Sequence, residues 1–172
     1  MTLKIAVVGP ESTGKTSLSK KLSDHFKVPY VEEYAVRYLD GLGRDYGQAD
    51  LLEIAKGQFD LEDQHLQQNP RLLICDTNLV VIKIWSDFKY ESCDPRIVEM
   101  MLARSYDLHL LMKPDLDWEP AKFRENPHDL DILYKLYHEE LVGQGVNFIE
   151  VGGQGAARYD VALEALNRLL IA

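Results

Sequence analysis

The stretch Gly9-Pro10-Glu11-Ser12-Thr13-Gly14-Lys15-Thr16 fits the pattern GxxxxGK[ST] at every fixed position. Its residue types suit one task. Glycines let successive backbone N–H groups turn inward as an anion nest. A helix beginning directly afterwards aims its positive end at phosphates. Lys15 supplies a flexible point charge for the β- and γ-phosphates, and Thr16 a hydroxyl oxygen for Mg²⁺. Gly9 through Ser17 is therefore expected to bind ATP, with Lys15 acting in catalysis as well.

Other residues can complete the chemistry. Asp76 follows four apolar residues at a strand end, the place of a carboxylate that holds a Mg²⁺ shell or a substrate hydroxyl. Glu32 and Glu33 end another strand. One of them, Glu33 by preference, can orient an acceptor hydroxyl and take its proton, or both can be solvated residues opening a helix. Arg124 lies in the polar, proline-punctuated stretch PDLDWEPAKFRENP. A mobile segment carrying Arg can close over phosphates and neutralise transition-state charge, with Lys122 as a lesser candidate. Tyr34, Phe59, Trp85 and Trp118 can stack on a planar ring. Trp85, at helical spacing, reads as core, whereas Trp118 in a polar loop suits a contact role.

The elements that must place these groups alternate. Leu3–Val8 reads as a strand buried on both faces, Lys15–Phe26 as a helix, and Val28–Val31 as a short second strand. Helices are expected at Tyr34–Leu39 and Gln48–Gln68, the latter stopped by Asn69-Pro70. A third strand, Arg71–Cys75, ends in Asp76. Helices follow at Asn78–Phe88 and, behind an Asp94 cap with Pro95 at its first position, to Arg104. Leu108–Met112 is the fourth strand, residues 114–128 a lid, Leu130–Leu141 a helix, Val146–Val151 the fifth strand and Arg158–Ile171 the closing helix. Strands alternating with helices mean an α/β domain whose parallel sheet is covered on both faces. The catalytic crevice of such a sheet lies at the carboxyl ends of its strands.

Bulk properties narrow the function. The 172 residues suit one domain with a lid. With 19 Lys and Arg against 28 Asp and Glu the formal net charge is −9, which argues against a nucleic-acid surface. No apolar run approaches the roughly 18 residues of a membrane span, and the start lacks a signal-peptide layout, so a cytoplasmic protein is expected. The two cysteines form no CxxC pair; Cys75 reads as core, and the five histidines, read as surface or half-buried, lack metal-ligand spacing.

Beyond these readings, GPESTGKTSL, VEEYAVRYL, IAKGQ, ICDTN, KIWSDFKY and YDLHLLMKPDLDWEP…RENP together resemble the ribosylnicotinamide kinase domain of bacterial NadR proteins, over about Lys4 to Arg168. The more discriminating elements are Glu33-Tyr34-x-x-Arg37 and the pair Asp76-Thr77. The resemblance implies a P-loop kinase fold of nucleoside- or nucleotide-kinase type, with strand order 2-3-1-4-5 and a lid. It implies ATP and Mg²⁺ held by Lys15, Thr16 and Asp76, and transfer of the γ-phosphate to the 5′-hydroxyl of nicotinamide riboside. Glu33, Tyr34, Arg37, Asp76 and Thr77 would form the acceptor site, Arg124 would serve the lid, and Gly153 and Arg158 would lie against adenine. Glu32 stands where the family can place an aromatic, which leaves Phe59 or Trp118 as ring partner. NadR proteins also carry an adenylyltransferase domain; its counterpart is not in these 172 residues, leaving only the kinase step. Alternatives are a kinase for another small hydroxyl acceptor, such as a deoxynucleoside, or a P-loop ATPase module coupled to a partner protein.

Overall fold

In the computed structural model, which describes residues 1–171, five parallel strands form one sheet in the order β2-β3-β1-β4-β5. The strands are β1 (Leu3–Val8), β2 (Tyr30–Val31), β3 (Leu72–Asp76), β4 (Leu108–Met112) and β5 (Phe148–Val151). The helices are α1 (Lys15–Phe26), α2 (Tyr34–Gly41), α3 (Gln48–Leu66), α4 (Leu79–Tyr90), α5 (Pro95–Ala103), α6 (Leu130–Gln144) and α7 (Ala157–Ile171). The strand order is the expected one, and no helix or strand lies between β4 and α6.

Period-two alternation divides the central strand between two cores. Ile5 and Val7 pack with Leu18, Leu22 and Leu166 of α1 and α7. Ala6 and Val8 pack with Leu51, Ile54, Leu79, Ile97 and Leu141 on the opposite face, where α2 to α6 gather. Burial on both faces explains why β1, β3 and β4 read as continuous apolar runs. Among the described residues no helix is long and apolar enough to cross a membrane.

β3 starts one residue later than expected, and β2 and β5 two residues later. Val28 belongs to the end of α1: its N–H bonds Ser23 O at 3.1 Å, and its carbonyl accepts from Ser23 Oγ at 2.6 Å. Pro29 has no N–H to give a ladder, so β2 begins at Tyr30. Val146 likewise closes α6, which runs on to Gln144; its N–H bonds back to Leu141 O at 3.4 Å. His109, read as surface or half-buried, is buried at 2% exposure in β4. Its ring contacts Asn78 Nδ2 and Asn147 O, each at 3.3 Å.

Candidate active site

At the carboxyl end of β1 the chain turns through Gly9, which passes so close to β4 that a Cβ there would meet Met112 O at 2.8 Å. The loop then enters α1, whose N-cap Gly14 offers no side-chain partner to the first backbone N–H groups. These donors face a cavity of about 900 Å³ lined by every residue from Gly9 to Ser17. Lys15 folds over the loop, its Nζ donating to Pro10 O at 2.7 Å and Gly9 O at 3.0 Å. Burial holds the ammonium's pKa below its usual value, an effect opposed by the nearby charges of Glu33, Asp76 and Glu11.

Thr16 and Asp76 meet although 60 residues separate them: Thr16 Oγ1 donates to Asp76 Oδ2 at 2.5 Å. Asp76 is 1% exposed and does not line the cavity itself; Thr16, which does, stands in front of it. Burial pushes the Asp76 carboxyl up, against the Thr16 hydrogen bond and the charge of Lys15. Its Oδ1 is buried without a hydrogen-bond partner. A hydroxyl and an under-satisfied carboxylate are hard oxygen donors of the kind Mg²⁺ takes while keeping waters and phosphate oxygens for its other positions. The residues therefore fit the ion, which Thr16 and Asp76 would hold. Among the described residues no cluster of three His, Cys, Asp or Glu offers a second cation site.

Glu33 stands at the N-cap position of α2 without a side-chain capping bond and lines the same cavity, whereas Glu32 is exposed. Its flanking backbone is gripped by a single buried side chain of α3. Gln58 Oε1 accepts from Tyr34 N at 2.8 Å, and Gln58 Nε2 donates to Glu32 O at 3.3 Å. Burial raises the Glu33 carboxyl, opposed first by the Lys15 charge, while Asp76 adds to the rise and Arg124 counters it. Lysine, two carboxylates and a lid arginine thus act on one another electrostatically around one crevice.

Much of the stretch 114–128, expected to be a lid, lines this crevice. Ser12 Oγ accepts from Glu119 N at 2.9 Å and from Arg124 Nη1 at 3.4 Å, and Arg124 also donates to Glu119 O. Lys122 pairs with Asp40 of α2 at 2.5 Å. Both Arg124 and Lys122 line the cavity.

The same cavity has apolar walls in Val81, Ile84, Trp85 and Phe88 of α4 and in Leu133 and Tyr137 of α6. Trp85 is therefore a half-buried wall residue rather than the core residue its spacing suggested. Its indole N–H donates to Tyr46 Oη at 3.0 Å. Gln58, Phe88 and Tyr137 were not singled out by the sequence.

Several expected contact residues are not at the cavity wall. Tyr34 turns its ring onto Gly57 of α3, where a Cβ would meet Cε1 at 2.0 Å. Arg37 points outward, 4.0 Å from Glu32, its guanidinium 5.2 Å over the Tyr34 ring. Phe59 lies under the Arg104 guanidinium at 3.8 Å. Trp118, in the lid, does not line the cavity, although its neighbours Asp117 and Glu119 do. Thr77 is buried in a left-handed conformation, φ 75°, unusual for a β-branched residue; its N–H bonds Val7 O at 3.0 Å. It shapes the turn behind Asp76. Gly153 and Arg158 also lie off the wall, while Gln154 is on it. The Arg158 guanidinium is consumed internally, donating to Gly153 O at 2.9 Å, Thr13 O at 3.0 Å, Lys113 O at 2.9 Å and the Asp115 carboxylate.

Comparison with known proteins bears on this arrangement. A family model described as AAA domain matches residues 4–158. No curated protein matches the chain in sequence. Among solved structures, a NadR protein in complex with NR superposes with TM-score 0.86 at 20% identity, covering 97% of this chain and 50% of that one. A NadR protein in complex with NAD and AMP-PNP gives 0.82 at 20% identity, over 97% and 49%. Deoxyadenosine kinase from M. mycoides with bound dCTP gives 0.62 at 15% identity, over 96% and 100%. This chain thus spans about half the length of the NadR chains it matches, and at these identities the likeness is one of fold. The chain belongs to the AAA-domain family and has the α/β P-loop fold that these proteins share.

Proposed function

We propose that this AAA-domain chain is a small-molecule kinase that transfers the γ-phosphate of ATP to the 5′-hydroxyl of a ribonucleoside, with nicotinamide riboside as acceptor and nicotinamide mononucleotide as product. One observation carries the reading. A single cavity is lined both by the phosphate cradle and by aromatic side chains of α4 and α6, and Glu33 lines it within electrostatic reach of Lys15 and of Tyr137. A triphosphate on the cradle and a planar base against Trp85 and Phe88 would bring the intervening ribose to that carboxylate. The fold likeness to a NadR protein in complex with NR supports the choice of acceptor.

In this mechanism the P-loop amides and Lys15 hold the phosphates, and Lys15 exchanges two backbone carbonyls for phosphate oxygens. Thr16 and Asp76 would hold Mg²⁺, which when bound would supply charge neutralisation at the phosphates. Glu33 orients the acceptor hydroxyl and takes its proton as that oxygen attacks the γ-phosphorus, and the bond to the ADP oxygen breaks. Its raised pKa makes it a better proton acceptor than a solvated glutamate. Arg124, held over Ser12, faces the transferring group, and the lid keeps water out.

The decisive experiment incubates the protein with Mg·ATP and nicotinamide riboside and assays nicotinamide mononucleotide, beside a panel of ribo- and deoxynucleosides. The likeness to a deoxyadenosine kinase favours a deoxynucleoside as the second acceptor reading, and the panel separates the two. ATP binding without transfer to any member of the panel would remove the kinase reading. Acceptor-independent hydrolysis stimulated by a protein partner would replace it with an ATPase module.

A further inference from the structure

We propose that Glu11 is a positioning residue that clasps the lid onto the phosphate cradle, and that Glu125 carries that grip across to the aromatic wall. Glu11 is an acid in a loop built to attract anions, so its carboxylate requires a use. Its Oε1 accepts from Glu125 N at 2.9 Å and also from Asn126 N, and its Oε2 lies 3.1 Å from Glu125 N. Carboxylate-to-amide hydrogen bonds are among the stronger kinds. The next residue, Ser12, holds the other end of the same lid arm through Glu119 N at 2.9 Å. Two consecutive cradle side chains thus pin both ends of the segment that carries Arg124.

The grip continues past the lid. The Glu125 carboxylate accepts from Tyr46 Oη at 2.7 Å and from Lys89 Nζ at 3.0 Å. Tyr46 Oη in turn receives the Trp85 indole N–H at 3.0 Å. Glu11, Glu125, Tyr46 and Trp85 therefore form one hydrogen-bonded chain from the phosphate end of the cavity to its ring-binding wall. Closure of the lid needs accepting oxygens at Glu11 and an ordered Tyr46–Trp85 wall together. Loss of Glu11 frees Arg124 from its alignment and admits water to compete with the acceptor. The statements about turnover rest on the kinase reading; those about the lid do not.

The test compares wild type with Glu11→Ala and Glu11→Gln, each confirmed folded by its melting transition. Hydrogen exchange of the backbone amides of residues 119–126 is followed with a non-hydrolysable ATP analogue bound. Glu11→Ala is expected to speed exchange at 125 and 126 by about 10-fold or more, the loss of a charge-assisted hydrogen bond. Glu11→Gln keeps an accepting oxygen and is expected to stay within about threefold of wild type. Exchange in Glu11→Ala equal to wild type would overturn the clasp. Equal damage in Gln and Ala would show that the charge acts rather than the accepting oxygen, which also overturns it. In a second arm, Glu11→Ala is expected to lower kcat more than it raises the acceptor KM, and to release more phosphate to water per phosphate transferred. Wild-type partitioning in that variant overturns the claim for the reaction. If wild type phosphorylates no acceptor, the kinase reading fails and the exchange arm still decides the clasp.

Discussion

Thr16 Oγ1 lies 2.5 Å from Asp76 Oδ2, joining the first turn of α1 to the tip of β3. The hydroxyl that reaches the cavity and the carboxylate behind it act as one unit, and the other Asp76 oxygen is buried without a partner. Replacing Asp76 by Asn keeps the shape and removes the charge. The Mg²⁺ concentration for half-maximal turnover is expected to rise on the order of 10-fold or more. A metal titration of turnover reads this directly, and an unchanged midpoint would take Asp76 out of the metal site.

Lys15→Ala removes the only side-chain cation within the loop. ATP affinity is expected to fall roughly 10- to 100-fold, the range for losing hydrogen bonds to a charged group, with turnover abolished. Equilibrium binding of a fluorescent ATP analogue checks the first, and the coupled kinase assay the second.

Glu33→Gln separates binding from chemistry. Turnover is expected to drop about 10²-fold or more while ATP affinity holds. Because burial raises the Glu33 carboxyl, the acid limb of wild-type kcat should lie above the ordinary glutamate range. Activity then falls as pH drops through that limb, and the limb should vanish in the variant. A wild-type rate in Glu33→Gln would assign the base elsewhere.

Trp85→Ala removes one wall of the chamber. Stacking of a base on an aromatic side chain contributes about 1–3 kcal/mol, so the acceptor KM should rise roughly 5- to 150-fold with the ATP KM little changed. Phe59→Leu, away from the cavity and beneath Arg104, should leave the acceptor KM alone. Steady-state kinetics with both substrates varied makes the comparison.

His109 ties acid stability to a buried ring. Burial lowers its pKa from 6.5 to about 4. The unfolded chain therefore binds the proton more readily, and the contribution is complete above pH 6.5 and lost as pH falls toward 4. At pH 5 that loss is about 2 kcal/mol. The opposite trend comes from Glu62, which burial pushes up to about 7, so the readout is a difference between variants. His109→Gln should lose about 2 kcal/mol less than wild type between pH 7.5 and pH 5 by urea unfolding. Parallel pH curves would show that the ring is not the titrating group.

The fold was legible because both of its signals are local. Apolar runs two-sidedly buried, such as Leu72–Cys75, and glycine-bounded helices show in a single pass along the chain. The phosphate cradle was legible for the same reason, since contiguous backbone builds it. The aromatic wall of the cavity was not. Trp85 and Tyr137 carry the spacing of core residues because most of each ring is indeed packed. Only the gap left between α4 and α6 turns their remaining edge toward the cavity. Gln58 acts through the backbone of a helix 24 residues earlier, a relation no periodicity encodes. Arg37 and Phe59, by contrast, have the right chemistry, but the fold turns them outward or beneath another side chain.

Arg158 fastens the loops that follow β1, β4 and β5 to one another through their carbonyls. That side of the molecule behaves as a fixed jaw. Any widening of the cavity to admit a ligand would therefore fall to the opposite rim, formed by residues of α2, α4, α6 and the segment 116–126.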